Sequence, residues 1–160
     1  MKISTDGIKV TKVSGVTIGV NTTAYGDGDL IGEMLTLPDL VPHRKGGILQ
    51  TIVLHDLDAQ DAALFLVIWD LNPSSTTFTN NSVLDIADAD LPNVVAKINI
   101  TAADYEDLSD NSIGEVDNLS IPLRASSDGT LYAALISDGA TPTYSANGLS
   151  MCLNLLVDEV

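Results

Sequence analysis

Residues 62–69, AALFLVIW, are apolar without interruption, and this run constrains the fold more than any other feature of the chain. A strand with one wet face alternates apolar and polar residues, whereas a strand covered on both faces has no such need. Eight residues are too few for a convincing helix, so the run reads as a buried strand of a layered β protein. Before it, GGILQTIVLH at residues 46–55 reads as a second core strand, joined to the first by the acidic connection DLDAQD at 56–61.

Alternation with a period of two marks further strands. Val16, Ile18 and Val20 alternate with Thr17, Gly19 and Asn21. Val94, Ala96, Ile98 and Ile100 oppose Val95, Lys97 and Asn99, and Leu119, Ile121 and Leu123 oppose Ser120, Pro122 and Arg124. Pro122 has no amide hydrogen to give a ladder, which places its strand at an edge or a bulge. In the last segment Leu149, Met151, Leu153, Leu155 and Val157 share one face, leaving Cys152 on the less buried one with Ser150, Asn154 and Asp158. Segments 31–37 and 130–136 bring the number to about eight strands, at the spacing of a sandwich or barrel. Asp27-Gly28, Gly46-Gly47, Asp128-Gly129, Asp138-Gly139 and Asn147-Gly148 supply turn residues that tolerate positive φ. Residues 85–91 and 102–108 suit short helical turns, and no long helix is expected.

A chain of 160 residues suits one domain, and a domain of this size buries roughly 70% of the surface of its unfolded chain, enough for a core without staples. Its single cysteine, Cys152, forms no intramolecular disulfide. The opening MKISTDGIKV has no apolar stretch of signal-peptide length, and no run approaches the roughly 18 apolar residues of a membrane helix, so the expectation is a soluble protein not exported by the Sec route. Against 7 Lys and Arg stand 22 Asp and Glu, 18 of them Asp, for a net charge of −15. Nucleic acid and anionic membranes repel such a surface, so neither is an expected partner. Charged residues make up only 18% of the chain, below the roughly 25% of an average domain, so the acidity reflects scarce Lys and Arg as much as added acid. Three of the seven basic residues, Lys2, Lys9 and Lys12, lie in the first twelve.

Catalytic constellations are not apparent. His43 and His55 are the only histidines, and a nucleophile-imidazole-acid triad finds no G-x-S-x-G elbow. His55 beside Asp56 and Asp58 has the composition of a base, although a solvated strand-end histidine has it too, and His43 in PHRK reads as a loop residue. Gly26-Asp27-Gly28-Asp29 puts carboxylates where a phosphate cradle needs bare amides and a lysine. Three carboxylate groups have the composition of a Ca²⁺ site: Asp27 with Asp29; Asp56, Asp58 and Asp61, the foremost; and Asp85, Asp88 and Asp90. None matches an EF-hand loop, and ligands for a transition metal are lacking. The expectation is therefore no catalytic residue, no cofactor site and no specific metal site. Sequon-like triplets at Asn21, Asn99 and Asn118, and the Asn80-Asn81-Ser82 stretch, read as accidents of composition in a chain without an export signal.

Three segments, NTTAYGDGDLIGEMLTL, KGGILQTIVLHDLDAQDAALFLVIWD and DGTLYAALISDGATPTYSANGLSMCLNLLVDEV, together resemble small structural proteins of tailed bacteriophages, above all capsid decoration or cement proteins. The resemblance is one of element order and texture across most of the chain, without an invariant motif. It implies an all-β protein, a single antiparallel β-sandwich of the jelly-roll kind, with residues 1–13 an N-terminal arm or first strand and 14–160 the sandwich domain. It also implies a non-enzymatic virion protein on the outer surface of the capsid, a homotrimer whose partner is the major capsid protein. On that reading residues 1–13 extend to the capsid or to a sister protomer. Three other classes stand beside it: a tail or baseplate component, a carbohydrate-binding sandwich using Tyr25, Tyr105 and Tyr144 as platforms, and an acid hydrolase built on two carboxylates.

Overall fold

Ten strands form among the residues described by the structure, a computed structural model that covers 8–41, 46–124 and 129–158. They are β1 (Ile8–Thr17), β2 (Leu30–Leu37), β3 (Gly46–Asp56), β4 (Leu64–Trp69), β5 (Val94–Ile100), β6 (Tyr105–Asp107), β7 (Ser112–Val116), β8 (Ile121–Arg124), β9 (Leu131–Ser137) and β10 (Leu149–Asp158). One sheet has the order β1-β10-β3-β7-β6, with β8 sharing the β7 side of β3; the other has the order β2-β9-β4-β5. Every pairing is antiparallel. The first strand lies beside the last and the second beside the ninth, the nested order of a jelly roll. The all-β sandwich expected from the sequence is the fold observed.

Alternation decides which side chains meet between the sheets. From β3 and β10 come Leu49, Ile52, Leu54, Met151, Leu153 and Leu155; from the facing sheet come Ile31, Leu64, Leu66, Ile68, Ala133 and Leu135. Each large aliphatic buried there contributes about 1.5–3 kcal/mol relative to leaving it in water. The other face of β4 presents Phe65, Val67 and Trp69, which join Leu30, Ala134 and Ile136 beneath Phe78, Leu84 and Ile86 of segment 70–93. Trp69 meets the Phe78 ring edge-on, with centroids 5.9 Å apart. Cover on both faces is the physical reason that residues 64–69 are apolar without interruption.

Segment 70–93 is held by polar contacts rather than by regular structure. The buried Asp90 carboxylate accepts hydrogen bonds from the Ser75 amide at 3.0 Å and the Thr76 hydroxyl at 2.7 Å, and that hydroxyl accepts from the Ala87 amide at 3.1 Å. At the far end Leu30 N–H donates to Ser82 O and Asn81 N–H to Leu30 O, both at 2.9 Å. Asn80 ties three segments together, accepting from the Tyr25 hydroxyl at 2.8 Å and donating to Gly19 O at 2.8 Å. Beside it Gly32 has φ +81°, and a Cβ there would meet Ile18 Cγ2 at 2.8 Å, so only glycine fits.

The structure differs from the sequence reading at four places. The first strand spans Ile8–Thr17 rather than 16–20, with a register shift between Val13 and Val16 where Gly15 takes φ +71°. The short helical turns expected over 85–91 and 102–108 are found in part: Asp90 and Leu91 N–H donate to Ala87 O ahead of a 3-10 turn at Leu91–Asn93, and Ala102–Asp104 is a 3-10 turn closed by a reciprocal Thr101–Asp104 capping box, but Tyr105–Asp107 is extended as β6. With β7 this makes ten strands rather than about eight. Cys152 lies outside the central cluster, as alternation indicates, yet it is only 4% exposed. Pro122 sits on β8, which among the described strands pairs only with β3, in the edge setting expected of it. Lys2, His43, Arg44, Lys45 and the Asp128 turn lie outside the described residues.

Candidate functional site

The carboxylates singled out in sequence serve the backbone. Asp56 ends β3 with its side chain fully buried, and it accepts amide hydrogens from Asp58 at 3.0 Å, Gln60 at 2.8 Å and Asp61 at 3.2 Å. Those bonds shape a tight turn in which Ala59 and Asp61 take positive φ, +45° and +47°. Burial pushes the Asp56 carboxyl above its ordinary value of 3.8, against the pull of the three amides. Asp58 reaches across to segment 142–148, accepting from the Ser145 amide at 2.7 Å and its hydroxyl at 3.0 Å. Asp29 accepts from the Gly26 amide at 2.6 Å and Asp27 from the Gly139 amide at 2.7 Å. Asp90 pins segment 70–93, and Asp85 and Asp88 are exposed. Among the described residues no three His, Cys, Asp or Glu side chains gather in a way that holds a metal ion.

His55 and Asp56 are adjacent in sequence but lie on opposite faces of β3. The Asp56 side chain is buried at the end of the sandwich, while half-buried His55 lies opposite Ser150 with Nδ1 3.3 Å from its hydroxyl oxygen. Tyr25 and Tyr144 are buried against each other, ring centroids 6.2 Å apart, so neither forms an exposed sugar platform. Tyr105 is half-buried over Gly114. Four buried polar atoms without a hydrogen-bond partner, Asp61 Oδ1, Tyr105 OH, Ser112 Oγ and Tyr144 OH, belong to the elements around the Asp56 turn. Desolvation, with nearby Asp56, raises the hydroxyl pKa of both Tyr105 and Tyr144 well above the usual phenol value. The arrangement stabilises neutral hydroxyls beside a closed turn.

Surface features of the larger sheet were not legible as strand patterns. Val10, Leu156, Ile48 and Pro122 stand opposite one another on β1, β10, β3 and β8, an apolar row across four strands. Val10 is 68% and Ile48 41% exposed. At the β6 edge of the same sheet an open groove of roughly 460 Å³ is lined by Asp104, Glu106, Leu108, Ile113, Glu115 and Asp117 among others. The groove comes from β6 and β7, short strands that the acidic segment 103–117 conceals. Exposed apolar rows on a charged surface mark places where another molecule docks.

No family model matches the chain, and no curated protein matches it either. Among solved structures it is similar to a chain in the structure of tomato aspermy virus, with 7% identity over 98% of this chain and 79% of that one and a TM-score of 0.36. It is also similar to a chain in the native virion of Kashmir bee virus at neutral pH, with 12% identity over 96% of this chain and 69% of that one and a TM-score of 0.31. Likeness at this level carries no argument about what the chain does.

Proposed function

We propose that this chain is a structural virion protein: a decoration or cement protein of a tailed phage that binds the outside of the head as a homotrimer and bridges major capsid subunits, without catalysis. The observation that carries this reading is the exposed apolar row from Val10 to Pro122 on a sheet face that no segment of the described chain covers. The resemblance of the three sequence segments to capsid decoration proteins supports it, as do a jelly roll and carboxylates occupied with holding turns. A protein of this kind needs no chemistry, because binding the assembled shell and not its loosened form stabilises the shell by mass action. Many copies, each touching two subunits, add avidity, and rotational symmetry lets one patch serve every contact. Net charge of −15 keeps decorated particles apart. Burial of Tyr25 and Tyr144 removes two of the three platforms on which a sugar-binding reading depends.

The test is electron cryomicroscopy of heads from the source of this sequence, with and without the protein, alongside heads incubated with Ile48→Asp. The reading requires ordered external density of this size, reduced at least about tenfold in occupancy by a charge placed in the apolar contact. Heads without such density, or full occupancy by Ile48→Asp, would overturn it.

A further inference from the structure

We infer that the end of the sandwich around Asp56 is an internal hydration site, in which water is bound by Asp61 Oδ1, Tyr105 OH, Ser112 Oγ and Tyr144 OH. These four oxygens are buried, and no group among the described residues hydrogen-bonds them. Tyr144 is 1% and Ser112 2% exposed, so neither oxygen can turn to bulk solvent instead. All four share Asp56 as a neighbour. The Asp61 amide donates to Asp56 Oδ2 at 3.2 Å, and Ser112 stands directly across the β3-β7 ladder from Asp56. The Tyr105 ring lies on Gly114 of the same strand as Ser112, where a Cβ would meet its Cε1 at 2.8 Å. The Tyr144 hydroxyl interacts electrostatically with those of Tyr105 and Asp56, and the Tyr105 hydroxyl with Asp56 and Asp61.

The chemistry of this set selects water over other occupants. A hydroxyl both donates and accepts, whereas an ionised carboxylate only accepts. Water has donors and acceptors in equal number and suits such a mixture, and internal waters bridge buried polar groups of this kind. An anion is repelled by the Asp58 and Asp61 carboxylates. A metal ion lacks ligands, because both Asp56 oxygens already accept turn amides and no three acidic, His or Cys side chains gather among the described residues. An apolar occupant leaves every one of the oxygens unmatched, at the desolvation cost of each. Water held there ties the turn after β3 to β6, to β7 and to segment 142–148, which Asp58 already grips through Ser145. The site is independent of shell binding, since its oxygens lie inside the sandwich.

The experiment is a high-resolution crystal structure of the full chain, together with urea unfolding of Tyr144→Phe and Ser112→Ala. Ordered water is expected about 2.7–3.2 Å from these oxygens, bridging Tyr144 OH or Ser112 Oγ to another member of the set. Tyr144→Phe keeps the ring and removes only the hydroxyl, so it reads the hydrogen bond alone. A water-bound hydroxyl predicts that the folding equilibrium constant falls about fivefold on its removal. An unpartnered hydroxyl predicts the opposite sign, because deleting it relieves a desolvation cost and leaves stability unchanged or raised; that result overturns the proposal. Should Tyr144→Phe fail to fold, Ser112→Ala carries the same test of sign, and the structure of the unaltered chain needs no variant. Direct bonds from the four oxygens to protein groups, with no water between, also overturn it. So does density about 2.3–2.6 Å from the oxygens, or an unfolding midpoint raised by calcium chloride and lowered by a chelator, either of which would replace water with a cation.

Discussion

The two sheets share one core but treat their outer faces differently. Over the smaller sheet, segment 70–93 lays Phe78, Leu84 and Ile86 on Phe65, Val67 and Trp69, so that β4 is dry on both sides. Over the larger sheet no described segment lies, and Val10 and Ile48 reach solvent. The lesson is that apolar side chains on an outer face have two destinations, a covering loop of the same chain or the surface of another molecule. Sequence separates them only in part: the covered face leaves a solid apolar run, whereas the open face leaves isolated apolar residues among polar ones.

Four measurements break or sharpen this comparison. Trp69→Ala removes the centre of the covered face and should destabilise the fold by about 3–5 kcal/mol, read by denaturant unfolding; a loss as small as that of a surface change would mean that the cover contributes no packing. Asp90→Ala strips the cover of its buried acceptor and should cost about 1–3 kcal/mol, with faster amide exchange confined to the 70–93 segment. Exchange unchanged there would show that apolar contacts alone hold the cover.

The third measurement concerns pH. Burial raises the folded-state pKa of Asp56 above 3.8, so the native state binds this proton more tightly than the unfolded chain does. The group's stabilising contribution is thus fully present below its unfolded pKa and is lost as pH rises through the folded value. Carboxyl NMR should therefore find the Asp56 midpoint above 3.8; a midpoint at or below that value would mean that the three turn amides outweigh desolvation. The smallest effect belongs to the open face. Ile48→Ser should change stability by no more than about 0.5 kcal/mol, and a loss comparable to that of Trp69→Ala would show that the row belongs to the chain's own core.

What was legible in the sequence followed from local periodicity. The run 62–69 announced a strand covered on both faces, and alternation gave the inward face of β10, whose Leu149, Met151, Leu153, Leu155 and Val157 all join the central cluster; in β5 it held for Ile98 and Ile100 but not for Val94, because a register shift opposite Ile68 and Trp69 turns Val94 to the outer cluster and Val95 to the core. The covering segment was not legible, since Phe78, Leu84 and Ile86 follow neither period and are placed by Asp90, Thr76 and Asn80 from a distance. β7 escaped notice because SIGEV is five residues with glycine at its centre, too short for a pattern. Cys152 was assigned to the correct side of its strand and the wrong burial, because one strand's alternation says nothing about what its neighbours place beside it. The Asp56 group has the composition of a cation site, and composition alone does not say what its oxygens accept. Turn geometry, with two positive-φ residues folding amides onto one carboxylate, gave those oxygens a different employment.

The place of β10 between β1 and β3 has a consequence for how the molecule is made. While the chain is being synthesised, residues 149–158 emerge after the other nine described strands, and until they do β1 has no neighbour among the described strands and β3 is unpaired by them along one whole side. The larger sheet therefore cannot close until residues 149–158 have been made. Such late, long-range pairing folds slowly and keeps strand edges sticky meanwhile, so the last strand acts as a clasp that joins two halves of a sheet in one step.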